Sequence, residues 1–346
     1  MTSLVLTKIF SLTSIAFLFA LLVTPLLTNI LYKYKLRKNI REDGITPVFS
    51  KLHAGKKGTP TMGGLLVWVT VTILAVVFWL LDRVFHLQAF HAVNFLTRRE
   101  TLLPLGALVG ASLVGMADDF MEIRQKGPKG RGFSFRFKVV LYAAVAVIGA
   151  WWFYFKLGFD YIHVPFYGNW TIGWLFIPFF ILVVVGTSFA VNETDGLDGL
   201  AGGTLLISFV AYAVIAFMQG HDNLATFAGA IIGGLLAFLW FNVYPARFFM
   251  GDTGSMGLGV VLAIIAFLTN NVLLLPIIGF IFVIETLSFL AQMFWRKAFK
   301  KKLFLSSPLH HHLEATGWPE TKVTMRFWIL SSVASIIAVI IFFLDK

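Results

Sequence analysis

Long apolar runs alternate with short polar segments along the whole chain. A transmembrane α-helix needs about 20 consecutive apolar residues, and ten such runs can be placed. They cover residues 9–32, 63–81, 101–117, 138–157, 172–191, 200–218, 224–243, 254–270, 272–295 and 326–344. The pattern therefore predicts an all-α integral membrane protein of about ten transmembrane helices, folded as a single polytopic domain over residues 1–346.

Basic residues are distributed unevenly between the two sides that these runs define. The polar segments 33–62, 118–137, 192–199, 244–253 and 296–325 fall on one side, and with the residues beside them they hold all but six of the 28 Lys and Arg. The six exceptions are Lys8, Arg83, Arg98, Arg99, Lys156 and Lys346. The positive-inside rule places the basic side in the cytosol and both termini outside. The first run is too long for a signal peptide and is followed by a basic loop, so we interpret it as the first transmembrane helix.

The composition supports this interpretation. Hydrophobic residues make up 58% of the chain and charged residues 13%, whereas a soluble domain has about 25% charged residues. The absence of cysteine excludes disulfides, thiolate metal sites and cysteine catalysis. The net charge of +11 agrees with cytosolic Lys and Arg and suits anionic lipid or phosphate partners.

Acidic residues are concentrated in three of the cytosolic segments. Asp118 and Asp119 directly follow an apolar run, where adjacent carboxylates need a cation, a nearby Lys or full hydration. Asp195 and Asp198 lie in the acidic, glycine-containing segment 192–199, and Asp252 begins the eighth run. Ordinary explanations are a solvated helix end and helix caps. Alternatively, Asp252 holds Mg²⁺ against a diphosphate, because Mg²⁺ is typically bound by one or two carboxylates plus phosphate oxygens.

Other polar residues suit the binding of a phosphorylated substrate. The glycines of segment 56–64 would let backbone N–H groups approach an anion, or would simply form a turn. The three consecutive histidines 310–312 lack the i, i+4 spacing of helical zinc sites, so we favour imidazoles that face phosphates over a zinc site or a solvated loop. Phe249 either stacks on a base or anchors the membrane interface. Glu285 lies inside an apolar run, and we predict a structural hydrogen-bonding group at a kink rather than a catalytic one.

This one-sided distribution distinguishes two classes of membrane protein. A transporter places its polar residues near the bilayer midplane, where only Glu285 is expected. Acids and histidines gathered at one face favour an enzyme that acts at the membrane interface on a lipid headgroup and a cytosolic substrate.

Five sequence stretches resemble the polyprenyl-phosphate N-acetylhexosamine-1-phosphate transferase superfamily. Within it, the chain is most similar to the phospho-N-acetylmuramoyl-pentapeptide transferase branch. The stretches are GTPTMGG at 58–64, ADD at 117–119, NETDGLDGLAGG at 192–203, FMGDTGS at 249–255 and SPLHHHLEATGWPE at 307–320. They follow the family's order and extend through nearly the whole chain. Two departures are Glu193, where an apolar residue is expected, and the loosely matching loop 126–138.

The resemblance implies a reaction, a cofactor and partners. The enzyme would transfer phospho-MurNAc-pentapeptide from UDP-MurNAc-pentapeptide to undecaprenyl phosphate, giving lipid I and UMP, the first membrane step of peptidoglycan synthesis. It would depend on Mg²⁺, form a homodimer in the bilayer of the bacterial inner membrane, have its active site facing the cytosol and bind no nucleic acid. A related UDP-GlcNAc:polyprenyl-phosphate GlcNAc-1-phosphate transferase is the alternative within the superfamily.

The resemblance also assigns roles to individual residues. Asp252 would bind the metal, and the implied catalytic residues are Asp118, Asp119, Asp252, His310 and His311. The implied substrate-binding residues are Lys56, Thr61, Lys129, Lys138, Asn192, Asp195, Asp198, Asn242, Phe249 and His312. Two mechanisms remain open: direct attack by the acceptor phosphate, with Asp118 helping to deprotonate it, or a covalent phospho-sugar on an aspartate.

Overall fold

The computed structural model describes residues 2–37, 56, 58–87, 90, 93–98, 100–130 and 132–345. The side chains of Thr2 and Lys129 lie outside this description, so the prediction for Lys129 has no structural counterpart.

Twelve α-helices and one β-hairpin have defined bounds in the described part of the chain. The helices are α1 (Thr2–Lys33), α2 (Leu65–Phe85), α3 (Leu102–Ile123), α4 (Phe135–Trp151), α5 (Phe176–Thr194), α6 (Leu200–Met218), α7 (Asp222–Asn242), α8 (Asp252–Leu268), α9 (Leu275–Ile278), α10 (Phe280–Phe299), α11 (Leu309–Ala315) and α12 (Glu320–Leu344). The antiparallel hairpin pairs β1 (Tyr161–Val164) with β2 (Gly168–Thr171).

The all-α membrane class is confirmed. Among the described residues, eight helices are long and apolar enough to cross a membrane, and α9 with α10 would supply a ninth span if this bent pair crosses as one. Helix α8 is also apolar but has only 17 residues. The count of ten spans stays a prediction.

Helix α8 forms the centre of the bundle. It is buried from Asp252 to Phe267 and packs between α3 and α5. Glycine permits its close approach to α3, because a Cβ on Gly115 would lie 2.3 Å from the carbonyl oxygen of Asp252. The outermost helices instead expose large apolar side chains, such as Ile329 and Ile336 on α12, as expected for a surface that faces lipid.

Three local features differ from the pattern of apolar runs. Helix α3 continues to Ile123, so Asp118 and Asp119 belong to a helix rather than to a loop. The ninth run is broken at Gly279, where α9 and α10 meet at 78°. The β-hairpin was not predicted, because its two four-residue strands are too short to give a clear alternation.

The bundle has two chemically distinct ends. We call the end that carries Asp118, Asp195 and Asp252 the site end. The opposite end, defined by Lys8, Gln219, His163 and Asp345, contains the start of α1 and the end of α12. Lys8 Nζ donates to Asn223 Oδ1 at 3.0 Å, Gln219 Nε2 to the Thr269 carbonyl at 2.9 Å, and His163 pairs with Asp345 at 2.5 Å. Which side of the membrane each end faces stays a prediction.

Candidate active site

Asp119 binds the N-terminus of the central helix. Its Oδ1 accepts the Asp252 N–H at 3.1 Å and its Oδ2 accepts the Thr253 N–H at 3.0 Å. The first N–H groups of a helix have no partner inside the helix and favour negative charge. Gly251, at φ +74°, forms the turn into α8. Asp119 thereby fixes the start of α8, and with it the position of Asp252.

Lys138 joins the carboxylates of two other helices. Its ammonium lies 2.5 Å from Asp118 Oδ2 and 2.7 Å from Asp252 Oδ2. Asn192 Nδ2 donates to Asp252 Oδ1 at 3.0 Å and to Ser255 Oγ at 2.9 Å, and Asp118 Oδ1 accepts the Phe133 N–H at 2.5 Å. Both aspartates are nearly fully buried. The two carboxylates therefore converge on one cation at the site end.

The segment after α5 holds a second group of charges. Asp198 contacts Lys56 Nζ at 2.6 Å through Oδ1 and the Ala246 N–H at 2.9 Å through Oδ2. Glu320 accepts from Lys56 Nζ at 2.5 Å and from the Asp198 N–H at 2.6 Å. Asp195 Oδ2 accepts the Gly251 N–H at 3.2 Å, which connects this segment to the start of α8.

Asn242, Phe249 and Thr61 lie where the loops before α2, α6 and α8 meet. The side chain of Asn242 accepts the Gly199 N–H at 3.0 Å and donates to the Phe248 carbonyl at 2.8 Å. The Lys56 ammonium is 5.7 Å from the centroid of the Phe249 ring. Thr61 is buried, and within the described residues its hydroxyl has no hydrogen-bond partner.

The three histidines lie on a short helix, α11, and face different partners. His310 is fully buried, and its Nδ1 is 2.9 Å from Glu285 Oε2. His311 Nδ1 is 2.8 Å from Glu314 Oε2. His312 Nδ1 accepts the Leu305 N–H at 3.2 Å, so this ring supports the preceding loop.

Most of the predicted site residues lie at the site end of the bundle. Asp119 and Asp195 both accept backbone N–H groups of segment 251–253, which includes Asp252. Lys138 links Asp252 to Asp118 through its ammonium. Asp198 and Lys56 form the neighbouring charge group, and the rings of His310 and His311 lie beside Gly196, between Asp195 and Asp198. All these groups occupy one end of the bundle. Their individual roles stay predictions, and the double backbone contact favours an anchoring role for Asp119.

Sequence reasoning assigned no role to several residues of this site. Glu320 was quoted in a motif, but nothing in its local sequence connects it with Lys56, 264 positions earlier. Ser255, three positions after Asp252, could have been selected because one helix turn brings such residues together. Glu314 stands at the same spacing from His311 and offered the same signal.

Asp118 and Asp252 are the two carboxylates that could bind a divalent cation at the site end. Mg²⁺ usually takes one or two carboxylates and completes its shell with phosphate oxygens and water. The described residues contain no cluster of three or more His, Asp or Glu arranged around a metal. Two carboxylates that already share one ammonium fit a Mg²⁺ site that the substrate completes.

An apolar groove runs between α5 and the bent pair α9–α10. Its volume is about 340 Å³. It is lined by Phe179, Val183, Gly186, Thr187, Ala190, Val272, Leu273, Leu275, Pro276, Gly279, Phe282, Val283, Thr286 and Leu287. Helix α5 lines the groove and ends near Asn192, and α10 lines it and carries Glu285. The groove therefore lies beside the polar site.

The fold is that of a multi-pass membrane protein with a buried polar site, and comparison with known proteins gives its class, a membrane-embedded transferase. Residues 101–270 match the model of glycosyl transferase family 4, and residues 56–66 match phospho-N-acetylmuramoyl-pentapeptide-transferase signature 1. Proteins named phospho-N-acetylmuramoyl-pentapeptide-transferase are similar over most of their length. The Chloroflexus aggregans protein is 38% identical over 94% of this chain and 86% of its own, and the Geobacillus thermodenitrificans protein 39% over 91% and 92%.

The chain belongs to the phospho-N-acetylmuramoyl-pentapeptide-transferase family. The resemblance carried by the five sequence stretches is confirmed, and the assignment to a multi-pass membrane protein holds with it.

Proposed function

We propose that this protein transfers phospho-MurNAc-pentapeptide from UDP-MurNAc-pentapeptide to undecaprenyl phosphate, releasing UMP and forming lipid I. Family membership supports the reaction. The observation that carries the mechanism is the convergence of Asp118, Asp252 and Lys138 at one end of an apolar bundle. Bringing an anionic donor and an anionic acceptor together requires a site of this kind, which balances charge and fixes position.

The phosphorylated groups would meet at the N-terminus of α8. An oxygen of the acceptor phosphate attacks the sugar-side phosphorus of the donor, the bond from that phosphorus to the UMP oxygen breaks, and UMP leaves. Bound Mg²⁺, held by Asp252 and Asp118, would neutralise the diphosphate. Lys138 balances the charge of these carboxylates, and Asn192 orients Asp252. Asp119 positions the start of α8.

The direct mechanism is favoured over a covalent aspartyl intermediate. Each oxygen of Asp119 already accepts a backbone N–H, and Asp118 is bound to Lys138 and to the Phe133 N–H. Such contacts reduce the nucleophilicity of a carboxylate. Incubation with labelled donor and no acceptor would trap a phospho-sugar on the protein if the covalent route were used, whereas the direct route leaves the protein unlabelled.

The groove between α5 and α10 suits the acceptor's polyprenyl chain. Its lining is almost entirely apolar, and a chain lying there would bring its phosphate towards Asn192. We assign the site end to the cytosolic face of the bacterial inner membrane, because the donor is a cytosolic nucleotide and the basic segments lie on that side. A homodimer is a further expectation from the family resemblance.

One incubation tests the reaction and the choice of sugar. Purified protein is mixed with UDP-MurNAc-pentapeptide, undecaprenyl phosphate and Mg²⁺, and UMP and the lipid product are quantified, with UDP-GlcNAc in parallel. We expect UMP release only with the muramoyl donor, the acceptor and the metal together. Release with UDP-GlcNAc alone would favour the related GlcNAc-1-phosphate transferase, and solute flux into sealed vesicles without UMP release would favour a transporter.

A further inference from the structure

Glu285 is a fully buried carboxylate near the start of helix α10, and its partner is a fully buried histidine. Its Oε1 accepts the His310 backbone N–H at 3.1 Å, and its Oε2 is 2.9 Å from His310 Nδ1. An uncompensated buried charge is very unfavourable, so such a pair is stable mainly in forms without net charge.

Both neutral forms of this pair put a hydrogen on the same atom of His310. If Glu285 is ionised, the imidazole is protonated on both nitrogens. If Glu285 holds the proton, its O–H donates to Nδ1, and the neutral imidazole carries its hydrogen on Nε2. The remaining arrangement, a carboxylate beside an imidazole with hydrogen only on Nδ1, leaves one buried negative charge. The balance of buried charge therefore favours a hydrogen on His310 Nε2.

This donor has no acceptor in the described part of the chain. It points to Gly196 in the segment between Asp195 and Asp198, where a Cβ on Gly196 would lie 2.2 Å from His310 Nε2 and 3.1 Å from His311 Nε2. His311 has a parallel arrangement, because its Nδ1 contacts Glu314. Two carboxylate-bound imidazoles thus direct their Nε2 atoms to one place in the charged loop.

We propose that Glu285 is a positioning residue that keeps a hydrogen on His310 Nε2 and aims it at an anionic oxygen of the phosphorylated donor beside Gly196. The inference rests on the proposed transferase function and extends it to a residue of helix α10. A buried donor without an acceptor is unfavourable. Because Gly196 encloses Nε2, the oxygen of the phosphorylated donor reaches it when segment 195–198 shifts, and the new hydrogen bond then satisfies Nε2.

Two substitutions separate hydrogen placement from simple packing. Glu285→Gln preserves the donor, because the amide oxygen can accept the His310 backbone N–H while the amide NH₂ donates to Nδ1 and leaves the hydrogen on Nε2. Glu285→Leu has similar bulk and can do neither. Gln292→Leu is the structural control, because Gln292 binds the Leu303 and Phe304 N–H groups on the same helix without contact to an imidazole.

The kinetic test measures kcat and KM for the donor and the acceptor, together with Tm. We expect Glu285→Gln to stay within about 3-fold of wild type and Glu285→Leu to lose about 10- to 100-fold in kcat/KM for the donor, with acceptor KM unchanged. Gln292→Leu should lower Tm and leave the donor kinetics of the folded fraction unchanged. Unchanged donor kinetics in Glu285→Leu, or equal losses in the Gln and Leu variants, would overturn the proposal.

A substrate-free measurement keeps the inference separate from the proposed function. The ¹⁵N chemical shift of a histidine ring distinguishes a protonated from an unprotonated nitrogen, and comparison with His310→Gln identifies the His310 signals. We expect a protonated Nε2 in wild type and Glu285→Gln and a mixture in Glu285→Leu. An unprotonated Nε2 in wild type would refute the inference even if UMP release is observed. Failure of wild type to release UMP would refute only the transferase reaction.

Discussion

The two ends of the bundle contain similar residue types in different surroundings. At the site end, Asp118, Asp119 and Asp252 are almost completely buried, and their oxygens bind backbone N–H groups or an ammonium from other helices. At the opposite end, the pair His221–Glu100 keeps side-chain exposures of 40% and 25%. Burying carboxylates is unfavourable, so removing any one of their partners strongly destabilises the protein. Partly exposed ion pairs contribute little to the free energy of folding. The presence of carboxylates therefore does not distinguish the site end from the opposite end. The distinguishing feature is that the carboxylates of the site end are buried and bound to backbone N–H groups or to an ammonium.

Asp252→Asn should have the largest effect on turnover. The amide keeps the shape of the side chain but cannot supply the charge that balances a cation and orients Lys138. We expect UMP release to fall by about 1,000-fold or more, in the upper range for loss of one electrostatic group in an active site. The detergent-extracted protein should keep its helical circular dichroism. Full turnover at saturating Mg²⁺ would exclude Asp252 as a metal ligand.

Lys138→Met should have the second largest effect and should lower both stability and activity. It leaves two buried carboxylates without their shared cation, which destabilises a protein by about 3–5 kcal/mol. Because Mg²⁺ can replace the lost charge, added Mg²⁺ should raise the Tm of this variant more than that of wild type. Lys126→Met, which removes an exposed cation from the same segment, is the control. Equal Mg²⁺-dependent Tm shifts in both variants would indicate that Lys138 and the metal do not share the carboxylates.

Gly196→Ala tests the contact between the charged loop and the histidines. The new Cβ would lie 2.2 Å from His310 Nε2, so the ring or the loop must move. Displacements of about 1 Å in an active site reduce rates by up to about 100-fold, and we expect a loss of about 10- to 100-fold in kcat/KM for the donor. Gly106→Ala has no heavy atom within 4 Å of its Cβ and should behave like wild type. Normal donor kinetics in Gly196→Ala would place the donor elsewhere.

The smallest effect is expected at the opposite end. The hydrogen bond from His221 lowers the pKa of Glu100 below its usual range, and partial burial only reduces that shift. A carboxyl with a lowered pKa in the folded state contributes stability above its unfolded pKa of about 4.3, and this is lost as the pH falls through the folded pKa. The Tm of wild type should therefore decline more than that of His221→Ala below about pH 4.3, by about 1 °C. His86→Ala is the control. If the Tm of wild type and of His221→Ala declined equally, the His221–Glu100 pair would contribute nothing to stability.

The positions of the membrane helices could be predicted from sequence, but the breaks between them could not. Apolar runs locate helices because lipid requires about 20 apolar residues, and nine of the ten runs correspond to continuous helices of similar extent. A bend of 78° at Gly279 leaves the hydropathy of the run unchanged, so the sequence did not reveal it, nor did it reveal that Glu285 contacts His310 beside the charged loop. The depth of Glu285 in the membrane stays a prediction. The prediction of a hydrogen-bonding role for Glu285 agrees with its contacts.

The sequence indicated which residues belong to the site, but it did not indicate which of them contact each other. Asp198 was a possible cap for α6, but that cap position is Gly199, and Asp198 instead binds Lys56 and the Ala246 N–H. The sequence likewise did not reveal that the two oxygens of Asp119 accept the N–H groups of Asp252 and Thr253 at the start of α8, and the catalytic role implied for Asp119 stays a prediction. Such partners lie more than 40 positions apart, and local sequence contains no information about which of several acids will meet a given N–H group.

Helix α10 contributes to both the groove and the polar site. Val283 and Leu287 line the groove, and Glu285, between them in sequence, contacts His310. A rigid rod cannot shift one side independently of the other. A bulky compound bound in the groove against Val283 and Leu287 is therefore expected to displace Glu285 and, through it, the imidazole of His310 without touching either side chain.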